Sequence, residues 1–140
     1  MTDKYAGDVS PRDAWNLLSS DEKALLVDVR TAPEWSFVGL PDLSSLAKRV
    51  VQQSWQVYPR MEVDPDFATR LAAIAGDREA PILFLCRSGA RSRAAAIAMT
   101  QAGYRRCYNV ANGFEGNHDA DRHRGRAAGW KADGLPWTQD

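Results

Sequence analysis

The stretch Ile82-Leu83-Phe84-Leu85-Cys86-Arg87-Ser88-Gly89-Ala90-Arg91-Ser92-Arg93 constrains the fold of this chain more than any other. Its apolar run reads as a buried strand that ends at a cysteine. Small and basic residues follow. An alanine-rich helix then runs from about Arg91 through Ala98 to Gln101, with Gly103 as its natural C′ residue. A strand, a tight loop and a helix in that order form half of a βαβ unit. Sites in open parallel sheets form beyond the carboxyl ends of strands, and Cys86 lies at such an end. The order places the thiol at the mouth of a loop whose N–H groups can converge on it. The following helix points its positive end the same way. A thiolate in that position is stabilised, and the thiolate is the nucleophile.

The rest of the chain supports an α/β reading. Ser10, Pro11 and Asp13 form a helix start: an N-cap, a first-turn proline and a capping-box acid. Ala14, Trp15, Leu17 and Leu18 give that helix an apolar face. Residues 24–29 read as a short buried strand ending near Asp28. Thr31 caps a further short helix with Pro33 in its first turn, and Gly39, Pro41 and Asp42 mark a turn. Residues 50–58 have strand character. Asp64-Pro65 opens a helix with Phe67, Leu71 and Ile74 on one face, ended by Gly76. Cys107-Tyr108-Asn109-Val110 is a last strand and Asn112-Gly113 a turn. Trp130, Leu135 and Trp137 return apolar weight to pack the tail. The expectation is one domain over residues 1–140, with its core at about 10–137 and a polar extension at about 116–129.

Composition excludes several classes. Lys+Arg and Asp+Glu both count 18, so neither a general nucleic-acid role nor a membrane-surface role gains support. No N-terminal apolar segment and no run near membrane-span length is present. With only Cys86 and Cys107, a cytoplasmic, reducing setting is the default, in which a reactive thiol survives. Cys107, inside an apolar strand, reads as a core residue. His118 and His123, with no accompanying cysteine, do not make a metal site, so no metal is expected.

Leu26-Val27-Asp28-Val29-Arg30 with Glu34-Trp35 and Gly39 resembles the first signature of rhodanese-like domains. Cys86 to Ser92 resembles their active-site loop. Asn109-Val110, Gly113-Phe114-Glu115-Gly116 and Trp130…Gly134-Leu135-Pro136 resemble their C-terminal signature. The match runs in order over roughly Ser10 to Trp137. The resemblance implies a rhodanese-like three-layer α/β/α fold with a central, mostly parallel sheet. It also implies sulfurtransferase chemistry. A sulfane sulfur passes from thiosulfate or another persulfide donor to a thiol or cyanide acceptor, or to a sulfur-relay protein, through a persulfide on Cys86. Sulfur itself is the group carried, so no cofactor is expected. Two departures stand out. Leu40-Pro41-Asp42-Leu43 replaces a histidine-containing turn, and Asn112 stands where glycine is common.

Around Cys86 the N–H groups of Arg87, Ser88, Gly89, Ala90, Arg91 and Ser92 can form an anion-holding nest. Gly89 permits the backbone angles this needs, and Ser88 and Ser92 can add hydroxyl donors. Arg91 is the first candidate for a donor oxyanion, because its fork matches such groups; Arg87 can share that role, and Arg93 reads as solvent-facing. Asp28 and Arg30 read as supporting residues, with Asp28 accepting from loop N–H groups or from Arg30. An Arg30–Glu34 ion pair is expected to fix the turn. Two other functions compete. Rhodanese-fold phosphatases and arsenate reductases have a loop one residue longer, and the four residues between Cys86 and Arg91 leave less room for a tetrahedral phosphate. Non-catalytic sulfur-carrier or docking modules of this fold often lack the cysteine kept here. The basic run Arg122, His123, Arg124 and Arg126 reads as a solvated loop, with a docking surface as the alternative.

Overall fold

A computed structural model describes residues 4–117, 120–124 and 128–139. In chain order the elements are β1 (Gly7–Val9), α1 (Pro11–Ser20), β2 (Leu25–Asp28), α2 (Ala32–Val38), β3 (Leu40–Pro41), β4 (Val51–Gln52), β5 (Gln56–Val57), β6 (Glu62–Val63), α3 (Phe67–Ala75), β7 (Ile82–Leu85), α4 (Ala90–Gln101), β8 (Cys107–Val110) and β9 (Trp137–Thr138). Five strands form a parallel sheet in the order β1-β8-β7-β2-β4. Because all five run the same way, the carboxyl ends of β2, β7 and β8 lie side by side. Asp28, Cys86 and Asn109 therefore meet at one edge of the molecule.

Alternation along β7 divides the core into two layers, since successive side chains of a strand point to opposite faces. Ile82, Phe84 and Cys86 pack with Phe67 and Leu71 of α3 and with Ala95, Ala96 and Met99 of α4. Leu83 and Leu85 pack on the other face with Ala14 and Leu18 of α1, and with Phe114 and Trp130 of the C-terminal segment. Each large apolar side chain buried this way contributes about 1.5–3 kcal/mol. The small residues of α4 let its backbone approach the sheet closely, which brings the first turn of that helix to the end of β7. The α/β/α layering is the rhodanese-like architecture expected from the resemblance. Among the described residues no helix is long and apolar enough to cross a membrane.

Local signals held at most helix ends. The Ser10 side chain accepts from the Asp13 N–H at 3.0 Å. Thr31 caps α2, where the Glu34 carboxylate accepts from the Thr31 N–H and hydroxyl. Other expectations need correction. The single strand expected over residues 50–58 is two, β4 and β5. Gln53 donates its side-chain amide to the Phe67 carbonyl and Ser54 its hydroxyl to the Arg30 carbonyl, and these bonds turn the chain away from the sheet. β5 then pairs with β6 as a separate antiparallel ribbon. Ile74 stays 54% exposed, because the face of α3 that docks on the core continues through Ala72 and Ala75 and leaves Ile74 at its edge. The turn at Pro41 is a strand, β3, paired antiparallel with β9. His118 and Arg126 lie outside the described residues.

Candidate active site

Cys86 follows the last residue of β7, and three residues later the chain enters α4. Gly89 makes this tight reversal possible with φ 124°, a conformation L side chains rarely adopt. Its N–H donates to Cys86 Sγ at 3.1 Å. The Ser92 hydroxyl, on the first turn of α4, lies 3.2 Å from the same sulfur. That hydroxyl also lies 2.5 Å from Asn109 Oδ1 and 3.1 Å from the Gly89 carbonyl. The Asn109 side-chain amide donates in turn to Asp8 at 3.1 Å, which fixes its orientation. The thiol therefore sits at the positive end of a helix, with one amide and one hydroxyl beside it.

Three details differ from expectation. One loop N–H, not a ring of them, reaches the sulfur. Cys86 is recessed instead of standing at the loop mouth, with 1% of its surface exposed. Its side chain continues the inward alternation of β7, so the loop closes over it. Ser88 makes no side-chain hydrogen bond to a described residue. Ala90 is exposed as the first residue of α4.

The arginines divide their work differently from the sequence reading. Arg30 pairs with Asp28, not with Glu34: Nη2 to Oδ2 is 2.7 Å and Nε to Oδ1 2.9 Å, and both side chains are fully buried. Arg30 also donates to the Gly39 carbonyl at 2.7 Å and lies 4.4 Å from the centre of the Phe114 ring. Glu34 belongs instead to Arg91, through Nη1–Oε1 at 2.7 Å and Nη2–Oε2 at 3.0 Å. Burial pushes the Glu34 carboxyl up, but the Arg91 hydrogen bonds and charge, with those from Thr31, outweigh it and hold it below its ordinary value. Arg91 is raised, first by its hydrogen bonds to Glu34, against desolvation, and further by the negative charge of Glu34. Arg93 faces solvent, 5.5 Å from the centre of the Tyr5 ring. Arg87 is exposed and makes no side-chain hydrogen bond or ion pair to a described residue. Cys107 is a core thiol that burial pushes up to about 11.

The segment after β8 locks the loop from behind. The N–H groups of Phe114, Glu115 and Gly116 donate to the carbonyls of Cys86 and Arg87 at 2.8–3.1 Å. Gly113 has φ 55°, and a Cβ there would collide with the Cys86 carbonyl oxygen and lie 2.7 Å from the Arg87 carbonyl. Asn112, where the resemblance led one to look for glycine, has φ 64°, a left-handed conformation that asparagine tolerates.

Above the loop lies a cavity of about 520 Å³ lined by Arg87, Arg91, Glu34, Glu115 and Arg124 together with Val38, Gln56 and Met61. Arg124, read from the sequence as part of a solvated basic run with a docking surface as the alternative, lines the cavity instead. Sequence reasoning missed the role of Glu34 towards Arg91, and Asn109, whose alternation in β8 was the only available hint.

A family model described as the STR4 middle domain matches residues 6–140. The crystal structure of Rv0390 from M. tuberculosis superposes with a TM-score of 0.86 at 48% identity, covering 98% of this chain and 100% of that one. An uncharacterized protein of Rickettsia conorii, RC0915, is 43% identical over 125 residues, 89% of this chain and 90% of its own length. A more distant relative, the thiosulfate sulfurtransferase GlpE of Actinobacillus succinogenes, is 27% identical over 129 residues, 92% of this chain and 87% of that protein.

Proposed function

The chain belongs to the STR4 middle-domain family, and on that premise we propose that it is a sulfurtransferase which carries sulfane sulfur on Cys86. One observation carries the reading: a thiol at the carboxyl end of a parallel strand, with the Gly89 N–H and the Ser92 hydroxyl on its sulfur at a helix N-terminus. The relatedness to a thiosulfate sulfurtransferase supports it.

In the proposed cycle the Cys86 thiolate attacks the outer sulfur of thiosulfate. A new S–S bond forms, the original one breaks, and sulfite leaves with the electron pair. Cyanide or a thiolate then attacks the outer sulfur of the Cys86 persulfide and returns the thiolate. The anionic sulfur is held by the Gly89 amide and the α4 dipole, both oriented before reaction, and by the Ser92 hydroxyl, which turns its hydrogen to it. Arg87, whose fork no described residue takes, binds the donor oxyanion. Arg91, fixed by Glu34, presents positive charge to the loop without leaving its partner. With Cys86 only 1% exposed, a ligand reaches its sulfur only past the loop, which shields a persulfide from bulk reductants. A sulfur-relay protein as acceptor requires the same persulfide.

Incubation with thiosulfate followed by intact-mass measurement tests the reading. The expected result is a gain of one sulfur atom that dithiothreitol removes and Cys86→Ser abolishes. Hydrolysis of an aryl phosphate without sulfur loading would overturn it.

A further inference from the structure

The cavity above the loop is far larger than thiosulfate requires; its 520 Å³ is in the range of pockets that hold organic ligands. Its charged wall carries three guanidinium groups, Arg87, Arg91 and Arg124, against the two carboxylates Glu34 and Glu115. Glu34 is consumed by Arg91. Among the described residues nothing takes the fork of Arg87, and Arg124 spends one N–H on the Gly116 carbonyl at 2.7 Å. The backbone joins these two arginines: the Gly116 N–H donates to the Arg87 carbonyl at 3.1 Å, so the C-terminal segment holds Arg124 in register with the loop. The same lining offers the apolar side chains of Val38, one turn beyond Glu34 on α2, and Met61.

From this division we infer that the cavity selects an organic thiol bearing carboxylates as sulfur acceptor, and that Arg124 is the residue that sets this preference. The inference rests on the persulfide reading above. Carboxylates dock on Arg87 and Arg124, whose planar forks match them, while the carbon skeleton lies on Val38 and Met61. The acceptor thiolate attacks the outer sulfur of Cys86–S–SH. A bond forms between the acceptor sulfur and the outer sulfur, the bond to Cys86 breaks, and its electron pair remains on Cys86 as thiolate. The product is the acceptor persulfide, which keeps the proton.

The test compares acceptors on enzyme preloaded with sulfur: mercaptosuccinate, 3-mercaptopropionate, neutral mercaptoethanol and cationic cysteamine. Wild-type kcat/KM should fall in that order. Arg124→Ala should reduce the ratio of mercaptosuccinate to mercaptoethanol about tenfold, the scale of one charge-assisted contact, and Arg124→Glu should reduce it further. Arg122→Ala, an exposed change outside the cavity, should leave the ratio unaltered. A ratio unmoved by either Arg124 variant, or moved equally by Arg122→Ala, would overturn the inference. If sulfur never loads, the persulfide reading fails, and calorimetric titration with S-methyl mercaptosuccinate still decides this one. Saturable binding lost in Arg124→Ala upholds the carboxylate site; no binding to wild type refutes it.

Discussion

Arg91 and Glu34, 57 residues apart in the chain, meet in a two-pronged ion pair that ties the first turn of α4 to the first turn of α2. The pair is mostly shielded, with side-chain exposures of 18% and 20%.

Glu34→Gln should therefore lower stability by about 1–2 kcal/mol at neutral pH, within the range for coupled neighbours. The folded carboxyl titrates below its ordinary value, so the unfolded chain takes up a proton first as the medium is acidified. The stability gained is fully present above the ordinary glutamate value and disappears as pH falls through the folded one. Urea denaturation of wild type and Glu34→Gln across that acid range should show the two curves converging. A gap that persists at the lowest pH would assign the effect to packing instead of charge.

Ser92→Ala tests the sulfur's immediate surroundings. A hydroxyl has one hydrogen, and three acceptors compete for it: Cys86 Sγ, Asn109 Oδ1 and the Gly89 carbonyl. When Cys86 carries negative charge, the hydrogen swings to the sulfur. Loss of a hydrogen bond to a charged group costs about 1.5–3 kcal/mol. The second-order rate of sulfur loading from thiosulfate should thus drop roughly ten- to a hundredfold, with thermal stability little changed. An unaltered rate would remove Ser92 from the mechanism.

The Asp28–Arg30 pair is a buried ion pair of the kind that is costly to break from one side. Asp28→Asn or Arg30→Met alone should destabilise the fold by about 3–5 kcal/mol, read from chemical denaturation midpoints. The double variant should recover much of that loss, because no unpaired charge is left in the interior. Equal losses in single and double variants would show that the Phe114 stacking and the Gly39 contact matter more than the charge.

The two thiols should react differently. Burial raises Cys107, which favours its neutral form in the folded state. Its contribution to stability is level below the ordinary cysteine value and is lost as pH rises past it towards about 11. Cys86 lies beneath a loop flanked by exposed residues, and loops open more readily than core strands. Iodoacetamide at neutral pH should label one thiol of the native protein, absent in Cys86→Ser, and two after unfolding. Labelling of Cys107 in the native state would contradict this.

Gly113→Ala probes the clamp behind the loop. The left-handed conformation costs about 1–2 kcal/mol for a residue with a Cβ, and that Cβ would strike the Cys86 carbonyl. Stability should fall by more than the conformational cost alone, and sulfur loading should slow because the loop is displaced. A variant as stable and as readily loaded as wild type would show that the clamp yields without effect.

What the sequence determined by itself was local: the Ser10 cap, the buried apolar run of β7, the helix after Gly89 and the cysteine at the junction of strand and helix. Such features follow from period, capping and backbone freedom, which act between near neighbours. The tertiary structure alone decided which carboxylate each arginine took, how deep Cys86 lies, and that Arg124 faces the cavity. Asp28 won Arg30 because the two lie at one strand end out of water, and Glu34 was left for Arg91 once the parallel sheet brought α2 and α4 together. Pairing depends on distances between remote segments, and neither periodicity nor composition encodes those.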